Sequence, residues 1–583
     1  MLSSVKEDLG RLLAVGRGEE PADLVLAGGR VVDLFGGGVI EADVAVYEGR
    51  IVGLGDYEAR QVYDVSGCFV APSFIDGHIH IESTLLNPLS FAQAALPWGT
   101  GAVVADPHEI ANVLGLAGIE YMLQASSGLP LDVFFMAPSC VPASPLATSG
   151  ACLSAADLAP LADDPRILGL GEVMNFPGLV AGEAGLLEKV AAFEGKVIDG
   201  HAPFLSGKGL NTYALAGPGS DHESSTPKEA WQRLEAGMRV MIRQGSAAQN
   251  LAALLPIVSA ANSRRTFFVT DDLHPDELLA RGHLNPLLAL AVEAGLNPIT
   301  ALQMVSLNPA EYFGLKDRGA VAPGFLADLV VLEDLTSFRP CHVFYRGRLA
   351  ASQGRLVNGT DLWPREVTQP LLPSTMRVRP YSEADLAIPA PSSQTSVRVR
   401  VIGLLSGQLI TESLVEGPKV KDGLVMADPQ QDLGKLAVIE RHKASGNIGL
   451  GLVKGFGLKQ GALASSFAHD AHNLIGLGVD DSDLYLALRR VEEMGGGLCA
   501  VAKGRVLAEL ALPIAGLISP SPPAETAERF QELTRTAQGL GAAPPDPFMA
   551  LSFLALEVIP ALKLTDRGLV VVEKLEVVGL FVE

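Results

Sequence analysis

Cysteine is scarce in this chain of 583 residues. Its five positions, Cys68, Cys140, Cys152, Cys341 and Cys499, are scattered, odd in number and form no CxxC pair. Neither a disulfide framework nor a zinc–cysteine site fits such a distribution. Positive charge is also in short supply. Against 66 Asp and Glu stand 44 Lys and Arg, a formal net charge of −22. With no basic field to attract phosphates, the composition argues against nucleic acid or an anionic membrane as partner. No uninterrupted apolar run reaches the length of a membrane span. The opening stretch MLSSVKEDLGRLL carries charge where a signal peptide needs its apolar core. A soluble, cytoplasmic protein is the expectation.

What is present is apolar and turn-rich. Hydrophobic residues make up 48% of the chain, with 62 Gly and 38 Pro. That balance fits a compact α/β protein of roughly two to four domains and not a disordered one. The apolar surplus points to a homo-oligomer.

The chain is organised around Phe69–Ser83, FVAPSFIDGHIHIES, which reads as a buried strand ending in two histidines. Alternate residues of a strand share a face, so His78 and His80 project together while Ile79 points away. Two imidazoles on one face at a strand end suit a divalent metal. An HxH pair alone is more often two ordinary hydrogen-bonded histidines. Here further metal-ligand residue types follow at strand ends downstream.

Residues 1–20 read as a short amphipathic helix, and from Ala22 short strands alternate with Gly-rich turns. The same β texture returns at GAVAPGFLADLVVLEDL and CHVFYRGRLAASQGRLV, which suggests one small domain split around a larger one. Between the halves, strands alternate with helices. Eight candidate strands are FIDGHIH, GAVVADPHE, LDVFFMAPS, ILGLGEVMN, KVIDGHAP, a weak one at LAGPGSDHE, MRVMIRQGS and TFFVTDD. Eight βα units in about 250 residues match a (β/α)8 barrel, whose active site lies at the C-terminal strand ends. His78, His80, His108, Glu172, His201, His222 and Asp271 fall at those ends. The expected division is residues 1–71 and 319–363 for the small β domain, 72–318 for the barrel, 364–394 for a Pro-rich linker, and 395–583 for a further α/β domain.

Six of these residues suit a two-metal site: His78, His80, Glu172, His201, His222 and Asp271. All the donors are nitrogen or oxygen, which suits Zn, Mn, Fe(II) or Co and leaves the choice to geometry. A carboxylate such as Glu172 can bridge two cations, and metals lower the pKa of bound water enough to make a nucleophile at neutral pH. Asp271 at the last strand is placed to take a proton and pass it on. Each has a plainer reading alone. Glu172 suits a helix cap or ion pair, His201 and His222 suit structural roles, and Asp271 with Asp272 can cap the helix that follows. Taken together, in order at strand ends, they favour the metal site.

These motifs resemble the amidohydrolase superfamily, and more specifically adenine deaminases of the Ade type. The matching stretches include FIDGHIHIES, GAVVADPHEIANVLG, LGLGEVMNFPG, IDGHAPFLSGKGLN, SDHES, TDDLHPDELL and, far downstream, KGFGLKQGALASSFAHDAHNLIGLG and EMGGG. The resemblance covers nearly the whole chain. It implies hydrolytic deamination of adenine to hypoxanthine and ammonia by a metal-bound hydroxide. It also implies two divalent ions, Mn(II) or Fe(II) with Zn as the alternative, held by the six residues above. Many relatives bridge their metals with a carboxylated lysine; the matching bridge here is Glu172. Asp271 would relay the proton to the departing amine. His108 or Glu109 would protonate the ring or contact the base, or His108 would orient a ligand. His469, Asp470 and His472 in FAHDAHN would close over the base, bind another ion, or form a structural turn.

Two segments depart from the family pattern. Arg243–Gln244–Gly245–Ser246 lacks the usual Glu after Arg, and GHLN at Gly282–Asn285 replaces GHID. The HxE…PCxxC signature of zinc nucleobase deaminases is absent. The competing expectations are another amidohydrolase, acting on a cyclic amide or a different aminopurine, and a non-catalytic relative that binds a nucleobase.

Overall fold

The structure, a computed structural model, describes residues 2–357, 361–364, 372–391, 396–405 and 408–582. Eight parallel strands run in chain order: β1 (Phe74–Ile79), β2 (Thr100–Ala105), β3 (Asp132–Ala137), β4 (Ile167–Val173), β5 (Val197–Gly200), β6 (Ser220–Asp221), β7 (Arg239–Arg243) and β8 (Thr266–Val269). Strands β1 to β5 form one sheet and β6 to β8 another. The Gly219 N–H donates to Ile198 O at 2.8 Å beside β5, and a parallel bridge joins Ile79 to Asp271. These links close a (β/α)8 barrel. TGAVVA of β2 and TFFV of β8 are buried along their whole length, as strands covered on both faces must be. Val104, Met136, Met241, Phe267 and Val269 pack together as part of that core.

The stretch read from the sequence as one strand divides at Ser73. Phe69–Pro72 pairs antiparallel with Leu329–Leu332, and Phe69–Val70 pairs parallel with Arg30–Val31. Only Phe74–Ile79 belongs to the barrel. The chain before and after the barrel therefore shares one seven-stranded sheet, and β1 follows directly from it. The GPGSDHE strand shrinks to Ser220–Asp221, since Gly and Pro next to polar residues supply few side chains for a pleated surface.

Arg233 fixes the neighbourhood of that short strand. Its side chain is fully buried and donates to the carbonyls of Leu205 and Ala202 and to Asp221 Oδ2. It thus ties the loop after His201 to the strand before His222. Arg233→Ala strips Asp221 of its buried cation, and breaking a buried pair this way costs about 3–5 kcal/mol. The expected result is a thermal midpoint lower by several degrees, read by circular dichroism.

The C-terminal part carries an eight-stranded sheet in the order 411–416, 399–404, 448–454, 433–439, 474–478, 462–465, 497–502 and 505–511. Of the stretch read as a linker, residues 365–371 and 392–394 lie outside the described residues. Elsewhere in it, Leu386 and Ile388 are buried against this sheet's core, and Arg441 donates to the Thr375 carbonyl. The C-terminal part docks on the barrel mouth. Ser144 Oγ donates to Glu557 at 2.7 Å, Thr148 Oγ1 to Asp566 at 2.7 Å, and His274 Nδ1 lies 2.8 Å from Asp546. No described helix is long and apolar enough to cross a membrane.

Candidate metal centre

His78 closes β1 and His80 lies just beyond it. His80 Nδ1 sits 2.9 Å from the backbone oxygen of Asp106. A carbonyl can only accept, so Nδ1 carries the proton and Nε2 is left with its lone pair for a metal. The last turn of β4 brings Glu172 to the same place. Gly171 is required beside it, because a Cβ there would lie 2.2 Å from Asp106 Oδ2. That same oxygen accepts the Glu172 N–H at 3.1 Å.

The two oxygens of Glu172 face different partners. Oε1 is 3.3 Å from His80 Nε2 and 3.8 Å from His78 Nε2. Oε2 is 2.6 Å from His201 Nδ1 and 3.3 Å from His222 Nε2. Asp271 completes the first group, with Oδ1 3.1 Å from His80 Nε2 and 3.5 Å from His78 Nε2. The sequence-expected residues His78, His80, Glu172, His201, His222 and Asp271 are thus brought into one cluster, arranged as two groups that share Glu172. Among the described residues, His78/His80/Glu172, His78/His222/Asp271 and Glu172/His201/His222 each bring three donor atoms within 4.8 Å of one another.

A cation at each group suits this chemistry. His78 Nε2 is buried and has no hydrogen-bond partner, although two carboxylate oxygens lie within 4 Å. A buried ring nitrogen left without a bond beside two carboxylate oxygens is what a shared cation would satisfy. Four imidazoles and two carboxylates with no thiolate suit a borderline or harder divalent ion.

Asp271 is held from its other side. Arg243 Nη1 donates to Asp271 Oδ2 at 2.7 Å and to Glu223 Oε1 at 2.5 Å. Burial acts to raise the Asp271 carboxyl. The Arg243 charge and the nearby imidazoles of His78 and His80 outweigh it, and leave the group well below the usual carboxylate range. The Asp271 backbone has φ 62°, a left-handed conformation uncommon outside Gly and Asn/Asp. Nothing in the sequence marks Arg243 and Glu223 as a pair. The only signals are Glu223 following His222 and a basic residue ending β7.

His108 and Glu109 differ from the strand-end position read from the sequence. They open a helix, His108–Leu114, one turn past β2. Both still reach the cluster: His108 Nδ1 is 3.4 Å from Glu172 Oε1, and His108 Nε2 is 3.4 Å from Glu109 Oε1. The FAHDAHN segment arrives from the C-terminal sheet. His472 Nε2 bonds Glu109 Oε2, with its Nδ1 accepting from the Ala468 N–H, and His469 Nε2 lies 3.0 Å from Glu109 Oε1. Burial acts to raise Glu109, and the imidazoles of His469, His472 and His108 more than reverse this.

Above the cluster is a partly open cavity whose walls the barrel and the C-terminal part both supply. Barrel residues form its floor. Leu409, His469, Asp470, Phe553, Leu556, Val558 and Ile559 reach it from the C-terminal part. Gln244 and the Gly282–His283 segment border a separate pocket and do not line this one.

Residues 69–350 match the model of the amidohydrolase family, and residues 408–576 match the adenine deaminase C-terminal domain. An adenine deaminase 2 of Carboxydothermus hydrogenoformans is 48% identical over 97% of this chain and 98% of its own. The adenine deaminase of Desulfatibacillum aliphaticivorans is 47% identical over 98% and 99%. This chain belongs to the adenine deaminase family. Among solved structures, a dihydropyrimidinase from Brevibacillus agri covers 57% of this chain and 96% of its own, with TM-score 0.44 and 15% identity, too distant to carry any residue assignment. The family's two matched regions meet at the cavity: the floor lies within the amidohydrolase match, and the roof within the C-terminal match.

Proposed function

We infer that this protein hydrolyses adenine to hypoxanthine and ammonia. The observation that carries the reading is the cavity where the six-residue cluster meets the adenine deaminase C-terminal domain. His78, His80 and Asp271 would hold one divalent ion, His201 and His222 a second, and Glu172 would reach both. Mn(II) or Fe(II) is the proposed pair, with Zn as the alternative. Bound there, such ions supply Lewis acidity and lower the pKa of water towards neutrality.

The chain's own groups manage the protons. The oxygen of water adds to C6 of the base and the C6–N6 bond breaks. Asp271 takes one proton of that water and gives it to N6, which leaves as ammonia. The second water proton ends on the ring as the lactam N–H of hypoxanthine. Glu109, buried at the cavity edge beside His108, is placed to manage that ring proton, with His469 and His472 orienting it. The roof covers these groups, and the less water reaches them the stronger each interaction is.

The test is the loss of ultraviolet absorbance as adenine becomes hypoxanthine, using protein loaded with Mn(II) or Fe(II) against a chelated sample. Turnover in the loaded sample alone is the expected result. No turnover by protein holding about two ions per chain would remove adenine as substrate and turn the search to other aminopurines and cyclic amides.

A further inference from the structure

The floor of the cavity carries the groups that act on the exocyclic amine and the ring proton, and the roof closes the other side. The roof is mostly apolar, with Phe553, Leu556, Val558 and Ile559 facing the space. Within that apolar roof stands one acid, Asp470. It is 3% exposed, lines the cavity, and its Oδ2 has no hydrogen-bond partner within the protein. Its neighbours in the same loop face other protein groups. His472 bonds Glu109, and His469 stacks on Phe553 with ring centres 4.7 Å apart while its Nδ1 lies 2.7 Å from Ser552 Oγ. A buried carboxyl with no partner costs stability, and such groups persist where a ligand supplies the missing bond.

A carboxylate only accepts, so the ligand must donate. Adenine has two kinds of donor, the N6 amine and one ring N–H. The amine is on C6 and must face the floor to be displaced. The ring N–H is the donor left for the roof. We propose that Asp470 accepts a hydrogen bond from the ring N–H of the bound base, and so selects free purine bases over N-substituted ones such as nucleosides. This inference rests on the adenine reading above. It divides the FAHDAHN loop by role: His469 and His472 act on Glu109, and Asp470 acts on the ligand.

The experiment compares adenine with its 3-, 7- and 9-methyl derivatives in wild type, Asp470→Ala and Asp470→Asn, each loaded with Mn(II). Asp470→Ala should lower kcat/KM for adenine about 10- to 100-fold, chiefly through KM, the range of a hydrogen bond to a charged group. The preference for adenine over the derivative methylated at the contacted nitrogen should shrink by a similar factor. Asp470→Asn keeps an acceptor and should recover part of the loss. Metal content should hold at the wild-type value, and the melting temperature should not fall, because no internal bond is removed.

Unchanged KM and unchanged methyl selectivity in Asp470→Ala would overturn the inference alone. So would a lower melting temperature with equal losses on every substrate, which would mark a structural role. A loaded wild type that leaves adenine untouched would overturn the functional reading, and this inference with it.

Discussion

Asp271→Asn is expected to lower adenine turnover by about two to four orders of magnitude, the usual contribution of a positioned acid–base group. The substitution keeps the side chain's size and removes its ability to take a proton. Its surroundings give little reason for collapse. Arg243 retains Glu223, which it contacts through both Nη1 and Nη2 at 2.5 and 3.2 Å. The Asn amide can still present an oxygen to Arg243 Nη1. Three measurements on one preparation check the prediction: turnover by absorbance, metal per chain by atomic absorption, and the melting curve. Turnover falling much further than metal content, with the melting curve unchanged, is the expected pattern. Turnover within tenfold of wild type, with metal retained, would move the base to another group. Glu223 would then be the first candidate, because it too lies against Arg243 and within 3.7 Å of His201.

The parts of this site that were legible in the sequence share one property: each is a strand end read by its own local pattern. His78 and His80 show period-two spacing. Glu172, His201 and Asp271 follow apolar runs that stop at polar residues, as barrel strands do, while His222 follows only a weak GPGSD strand. What escaped was decided by pairing across the fold. FVAP and FIDGHI are both apolar, so the change of sheet at Ser73 leaves no mark in hydropathy, and only the partners Leu329–Leu332 reveal it. His108 opens a helix because the segment Asp106–Pro107 ends β2, yet its ring still reaches Glu172. Arg243 and Glu223 meet across two strands and 20 residues. The roof lies further still: His472 and Glu109 are 363 residues apart. No local pattern carries such a contact. The Pro-rich stretch before the last sheet is open to two readings from composition. Its composition fits a linker or an ordered crossing equally, and the burial of Leu386 is visible only in the packing.

Glu172→Gln should have the second of the two largest effects, and through a different quantity. A glutamine offers one neutral oxygen and one N–H donor in place of two anionic oxygens. Whichever way it turns, it presents an amide hydrogen to one side, either to His78 and His80 or to His201 and His222. One group then loses an anionic ligand and gains a donor aimed at the cation position. Metal content should fall from about two ions per chain towards one or fewer, and adenine turnover by more than about a thousandfold, since both ions are asked to act together. Stability separates this from misfolding. A ligand that binds only the folded state raises its stability in proportion to the logarithm of ligand concentration over Kd. Wild type should therefore gain melting temperature steadily as Mn(II) is added. Glu172→Gln should start from a similar metal-free value and gain much less. A variant that binds two ions with the wild-type gain would place the shared carboxylate elsewhere. Glu109, which forms its own three-residue cluster with His80 and His108, would then be the residue to replace.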